Sequence, residues 1–96
     1  MKTLGDIKLK LSLLKPMLEK QYAVSELGLF GSYVRNEQND QSDIDILVDF
    51  KRPIGIEFVD LADLLEKELD LKVDLVSRNG IQPKYFSAIQ PEICYV

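Results

Sequence analysis

Ser42-Asp43-Ile44-Asp45-Ile46-Leu47-Val48-Asp49-Phe50 is the stretch from which the fold can be read. Ile44, Ile46 and Val48 alternate with Asp43, Asp45, Leu47 and Asp49, a period of two that predicts a strand over 43–50. Working outward, Val24 to Phe30 predicts an earlier strand closed by Gly31-Ser32, with a strand-to-helix turn expected there. Lys72 to Ser77 predicts a third strand, with Asn79-Gly80 as the turn behind it. Leu4, Ile7, Leu11 and Leu14 recur at helical spacing behind Thr3 as N-cap and Asp6 at the third helical position. Pro16 has no amide hydrogen, so a break is expected near residues 13–15, with a second helix ending near Tyr22. Phe58, Leu61, Ala62, Leu65 and Leu69 predict an amphipathic helix over 56–69. A short helix over 83–90 and an extended segment over 93–96 complete the chain. The order ααβ(α)βαβα predicts a small α/β (α+β) fold, a mixed β-sheet flanked by helices.

With 96 residues the chain has the size of a single domain, expected to span 1–96. A domain this small has little depth for a pocket, so a substrate site is expected to be shallow or completed by a second protein. No histidine is present, which removes His-ligated metals, His general bases and Ser-His-Asp triads. Cys94 is the only cysteine, so there is no internal disulfide and no paired-cysteine zinc site. Chemistry must rest on carboxylates, hydroxyls, Lys, Arg and backbone amides. The net charge of −4 is uneven: residues 1–22 carry +3 and residues 23–50 carry −5, with Arg35 the only base in that acidic middle. Such a middle repels phosphate backbones, and stable nucleic-acid binding is not expected. No apolar run approaches the roughly 18–20 residues of a membrane span and no leader is evident, so a cytoplasmic location is expected.

Three acids fall on predicted strands, where carboxylates need a reason. Asp43 and Asp45 lie two apart and leave one face of their strand, about 7 Å apart at Cα. Asp74 sits inside Val73-Asp74-Leu75-Val76. Were the three to converge, each pair at ~4 Å would repel by about 4 kcal/mol at an effective dielectric near 20. A bound cation would cancel that repulsion, and oxygen-only ligands favour magnesium or manganese. The plainer alternative has Asp43 capping the start of the strand and Asp45 pointing to water. Gly31-Ser32 also has two readings: a turn whose amides and hydroxyl approach a phosphate, or an ordinary turn with a serine cap. Arg35 either faces phosphates or pairs with an acid.

Taken together, Gly31-Ser32, ten residues, then Asp43-x-Asp45 is a specific pattern. At usages of about 5–7% per residue type, it matches by chance in about 0.1–0.2% of chains this long. Leu29-Phe30-Gly31-Ser32-Tyr33-Val34-Arg35 with Ser42-Asp43-Ile44-Asp45-Ile46-Leu47-Val48 resembles the signature of the nucleotidyltransferase superfamily with a polymerase-β-like palm, in particular its minimal members. Lys72-Val73-Asp74-Leu75-Val76 resembles that family's third-acid strand, and the likeness extends over nearly the whole chain. After Arg35 this chain has Asn36 where many members carry glycine.

The resemblance implies that Asp43, Asp45 and Asp74 are the catalytic and metal-binding acids, holding one or two Mg2+ ions (or Mn2+) that grip ATP. It implies that Asp74 accepts the proton of the attacking hydroxyl, and that Gly31, Ser32 and Arg35 bind the nucleotide phosphates. Minimal members are typically antitoxins paired with a small helical HEPN-domain toxin in a hetero-oligomer, transferring AMP from ATP to a toxin tyrosine (AMPylation). Two alternatives accompany this expectation: a catalytically idle subunit that neutralises the HEPN partner by binding, or a transferase subunit acting on a small molecule or RNA. There is no P-loop, GxGxxG motif or nucleophile elbow.

Overall fold

A computed structural model of the chain describes residues 2–96. The first element is helix α1 (Leu4–Tyr22), opened by a reciprocal cap in which Thr3 Oγ1 accepts from the Asp6 amide and the Thr3 amide donates to Asp6 Oδ2. Strands β1 (Val24–Phe30) and β2 (Ile44–Phe50) follow, then helix α2 (Glu57–Leu69) and strand β3 (Val73–Ser77). A short helix α3 (Pro83–Ile89), a 3-10 turn (Gln90–Glu92) and a two-residue strand β4 (Cys94–Tyr95) finish the chain. The sheet order is β3-β2-β1-β4, with β2 parallel to β3 and the other two pairings antiparallel. The expected mixed sheet flanked by helices is therefore what the chain forms.

Two expectations fail. Residues 4–22 are one continuous helix with Pro16 inside it, not two helices broken near 13–15. Pro16 removes only the bond to the Ser12 carbonyl, and both residues lie on the exposed side, where solvent takes that carbonyl. The buried Ile7, Leu11 and Leu18 hold both halves of the helix on the sheet. Residues 31–36 form successive turns instead of a helix: the Val34 and Arg35 amides both donate to the Gly31 carbonyl and go no further. A helix dipole is thus not available at Gly31-Ser32.

The period of two in β2 divides the molecule. Ile44, Ile46 and Val48 join Leu27 and Leu29 against Leu11, Leu61 and Leu65 of the two long helices, forming the main core. The opposite face carries Phe30, Leu47 and Ile89, flanked by Val76 and Phe86, where α3 covers only part of the sheet. Arg78 lies 3.7 Å above the Phe86 ring and fastens α3 to the end of β3. The start of β2 and β3 on that second face is left open, and that is where the acids stand. Among the described residues no helix is long and apolar enough to cross a membrane.

Replacing Pro16 tests the account of α1. Pro16→Ala restores a backbone hydrogen bond in a helix already fixed by its core face, and loses some rigidity of the unfolded chain. A net gain of about 2 kcal/mol is expected in the urea midpoint stability, with unchanged helix content.

Candidate active site

Register decides which carboxylates meet. In the parallel ladder Asp45 pairs with Asp74, and in the antiparallel ladder Asp45 pairs with Phe30, one residue before Gly31. Neighbouring strands lie about 4.8 Å apart, so the Asp45 and Asp74 side chains rise side by side on the open face. Asp45 is half-buried, while Asp74 and Asp43 are exposed. Burial first, then the negative charge of Asp74, pushes the Asp45 carboxyl up to about 6; when protonated it donates to Asp74, and Asp43 adds a weaker push. Asp43 precedes β2 and acts on Asp45 through its field only: the three expected ligands do not draw into a compact metal-binding group among the described residues.

The turn above the pair is shaped around it. Gly31 has φ +85°, and a Cβ there would collide with the Asp45 carboxylate, so only glycine lets the β1 turn close over the acid. Asn36, standing where glycine was noted in relatives, has φ +58°, the left-handed conformation that asparagine tolerates. The departure in sequence therefore keeps the backbone shape. Ser32 is half-buried beside Gly31, and its carbonyl accepts from the Glu37 amide at 2.8 Å.

Arg35 is already paired. Its Nε donates to Glu37 at 2.8 Å and its Nη1 to both Glu92 oxygens at 3.1 Å, and these acids raise its pKa. Glu92 also accepts from the Gly31 amide. Glu92 is the residue that sequence reasoning missed. Its signal was topological: Leu29 pairs with Cys94, and continuing that antiparallel register sets Glu92 opposite Gly31. From α2, Glu66 accepts from the Val73 amide at 2.9 Å and pins the start of β3 next to Asp74.

The donor set suits a hard divalent cation. Asp45 is held next to a like charge, with no lysine or arginine bonded to the pair among the described residues; beyond burial, the repulsion from Asp74 raises its pKa against a weaker pull from Arg35, and a cation would relieve that repulsion. The acids lie on an open surface, beside a 450 Å³ depression lined by Ser42, Asp43, Asp70 and Lys72. A separate 340 Å³ groove at the far end of β2, lined by Phe50, Phe58, Arg52 and Asn79, contains neither the acid pair nor the Gly31 turn.

The Asp45 shift has a stability consequence. Its folded-state pKa of about 6 lies above the unfolded value of 3.8, so ionised Asp45 opposes folding and protonation favours it. In metal-free buffer its contribution to Tm rises as pH falls through about 6 and levels off near 3.8. Asp45→Asn is expected to raise Tm at pH 7.5 and to flatten that rise, as read by thermal denaturation across pH in the presence of chelator.

Comparison with known proteins agrees with this geometry. A family model described as a nucleotidyltransferase domain matches residues 11–93. Protein adenylyltransferase MntA of Thermococcus cleftensis is 40% identical over 97 residues, covering 100% of this chain and 98% of its own. A solved structure of a protein assigned as a minimal nucleotidyltransferase superposes with a TM-score of 0.83 at 24% identity, covering 97% of this chain and 95% of its own. A complex of tri-AMPylated Shewanella oneidensis HEPN toxin with its MNT antitoxin contains a chain that superposes with a TM-score of 0.69 at 24% identity, covering 93% of this chain and 70% of that one. With the acid pair, the glycine turn and the mixed sheet in place, the chain belongs to the nucleotidyltransferase family, on the branch of the MntA-type protein adenylyltransferases.

Proposed function

We propose that this chain is the antitoxin of a HEPN-paired module and transfers AMP from ATP to a tyrosine of its HEPN partner. The observation that carries this reading is the Asp45–Asp74 pair on adjacent parallel strands, directly beneath a turn that only glycine can make. An acid pair needs a cation, a glycine turn admits phosphate oxygens to backbone amides, and the two together describe a nucleotide triphosphate. The open face supports a protein acceptor, because a tyrosine on a partner surface can reach an exposed acid without entering a pocket.

In this reading Asp45 and Asp74 would hold Mg2+, with Asp43 an outlying third carboxylate at the entry to β2, and the ion would supply neutralisation of the phosphates and stabilisation of both attacking and leaving oxygens. The Gly31 amide and Ser32 hydroxyl take the β- and γ-phosphates and orient the α-phosphate toward the open face. Asp74, exposed on the open face, accepts the proton of the tyrosine hydroxyl as that oxygen bonds to the α-phosphorus. The bond between the α-phosphorus and the bridging oxygen breaks, and pyrophosphate leaves. Asp45 stands beside Asp74 as the second carboxylate of the pair, and Arg35 supports the departing phosphates when it is freed from its acids.

One observation favours a second reading. Two donors of the phosphate cradle, the Gly31 amide and Arg35, are engaged by Glu92. A chain held permanently in that state would restrain its partner by binding alone.

Transfer of label from α-phosphate-labelled ATP to a purified cognate HEPN-domain protein separates the two. Labelled tyrosine is expected with wild type in Mg2+, and about 100-fold less with Asp74→Asn, which removes the proton acceptor. No label with a stable complex still forming would establish restraint by binding, and no complex would remove the HEPN partner altogether.

A further inference from the structure

We infer that Glu92 is a built-in competitor for nucleotide phosphate, a carboxylate that occupies the phosphate cradle and has to swing away before a triphosphate can bind. The inference rests on the nucleotide reading above and deepens it, since it concerns how that same site is loaded.

Three contacts from two donor groups converge on one side chain. Glu92 Oε2 accepts from the Gly31 amide, and Arg35 Nη1 bridges both Glu92 oxygens at 3.1 Å. A carboxylate held by one backbone amide and one guanidinium reproduces the hydrogen-bonding demands of a phosphate oxygen pair. Glu92 cannot share these donors with a phosphate group: both are anionic, and two like charges at contact distance repel strongly where solvent is partly excluded. Glu92 is 24% exposed and Arg35 47%, so the pair is neither sealed nor freely screened.

The placement follows from the fold. Gly28 opposes Tyr95 and Leu29 opposes Cys94, and the residue after them is fastened, with the Val96 amide on the Leu27 carbonyl and Lys15 Nζ on the Val96 carbonyl at 2.7 Å. A Cβ on Gly28 would meet Ile93 at 2.6 Å, so β4 lies tight against β1. The backbone of residues 93–96 therefore stays in register, and displacement of Glu92 is a side-chain rotation from the 3-10 turn. Arg35 keeps Glu37 as a second partner at 2.8 Å, so the guanidinium remains tethered near the cradle when Glu92 leaves. Arg35 is a positioning residue whose partner changes from acid to phosphate.

Calorimetric titration of ATP analogue AMP-PNP and of AMP in Mg2+, with wild type, Glu92→Gln and Glu92→Ala, tests this. Removal of the competing charge is expected to tighten AMP-PNP binding about tenfold in both variants. AMP, which lacks the β- and γ-phosphates, is expected to change less than about twofold. Using both variants guards against a folding fault peculiar to one, and Glu92→Gln keeps the size of the side chain. Wild type that binds AMP-PNP while the variants bind it equally or more weakly overturns the inference and leaves the nucleotide reading intact, with Glu92 a buttress of the turn. Tightening of AMP as much as AMP-PNP also overturns it, since the effect would then not act at the outer phosphates. Absence of binding by all three proteins overturns the nucleotide reading and this inference with it.

Discussion

The register of the parallel pair β2–β3 is the constraint on which the rest of the molecule depends. Because Ile44 opposes Val73 and Ile46 opposes Leu75, the apolar residues of both strands face the long helices. The alternate positions then put Asp45 beside Asp74 on the other face. A slip of β2 by one residue would turn Asp45 into the main core and expose Ile44 and Ile46, so the packing of the helices itself enforces the closeness of the acids. Like charges are held together by hydrophobic burial on the far side of the same sheet. The resulting repulsion adds to burial in raising the pKa of Asp45, and a cation would relieve it.

The turn and the C-terminal segment complete the site from the opposite edge of the sheet. Gly31 brings backbone amides over Asp45 because it lacks a side chain, and Asn36 closes the same turn through a left-handed backbone. β4 adds one further strand to β1 and delivers Glu92 to the Gly31 amide. Negative charge is therefore present on both sides of the cradle: Asp45 and Asp74 below, Glu92 above. The first two offer oxygen ligands to a cation, whereas the third occupies the donors that the proposed phosphates would use.

Much of this was legible in the sequence, for identifiable reasons. Alternation in 44–48 and helical spacing in 58–69 are strong periodic signals backed by burial, and both elements form within a residue of the expected bounds. The pairing of Gly31-Ser32 with Asp43 and Asp45 was visible as spacing, and the strand carrying Asp74 was visible as an acid among β-branched residues. The break at Pro16 was misjudged because a local rule was weighed without the core face of residues 7–18, which outweighs one lost hydrogen bond on the wet side. The helix expected after Gly31 does not form because residues 33–36 turn back into a loop and present no apolar face at helical spacing. Glu92 was not legible, since it meets Gly31 through the pairing of a two-residue strand that carries almost no local signal. Nor could spacing show that Asp43 stands outside the close pair.

The account stands or falls on Asp45 and Asp74 being electrostatically joined. The direct measurement is the titration of the Asp45 side-chain carboxyl carbon by NMR in metal-free protein, repeated in Asp74→Asn. A midpoint near 6 that drops toward the ordinary aspartate range when Asp74 loses its charge is what the structure requires. A wild-type midpoint near 3.8, or one indifferent to Asp74, would contradict the pair and the site built on it.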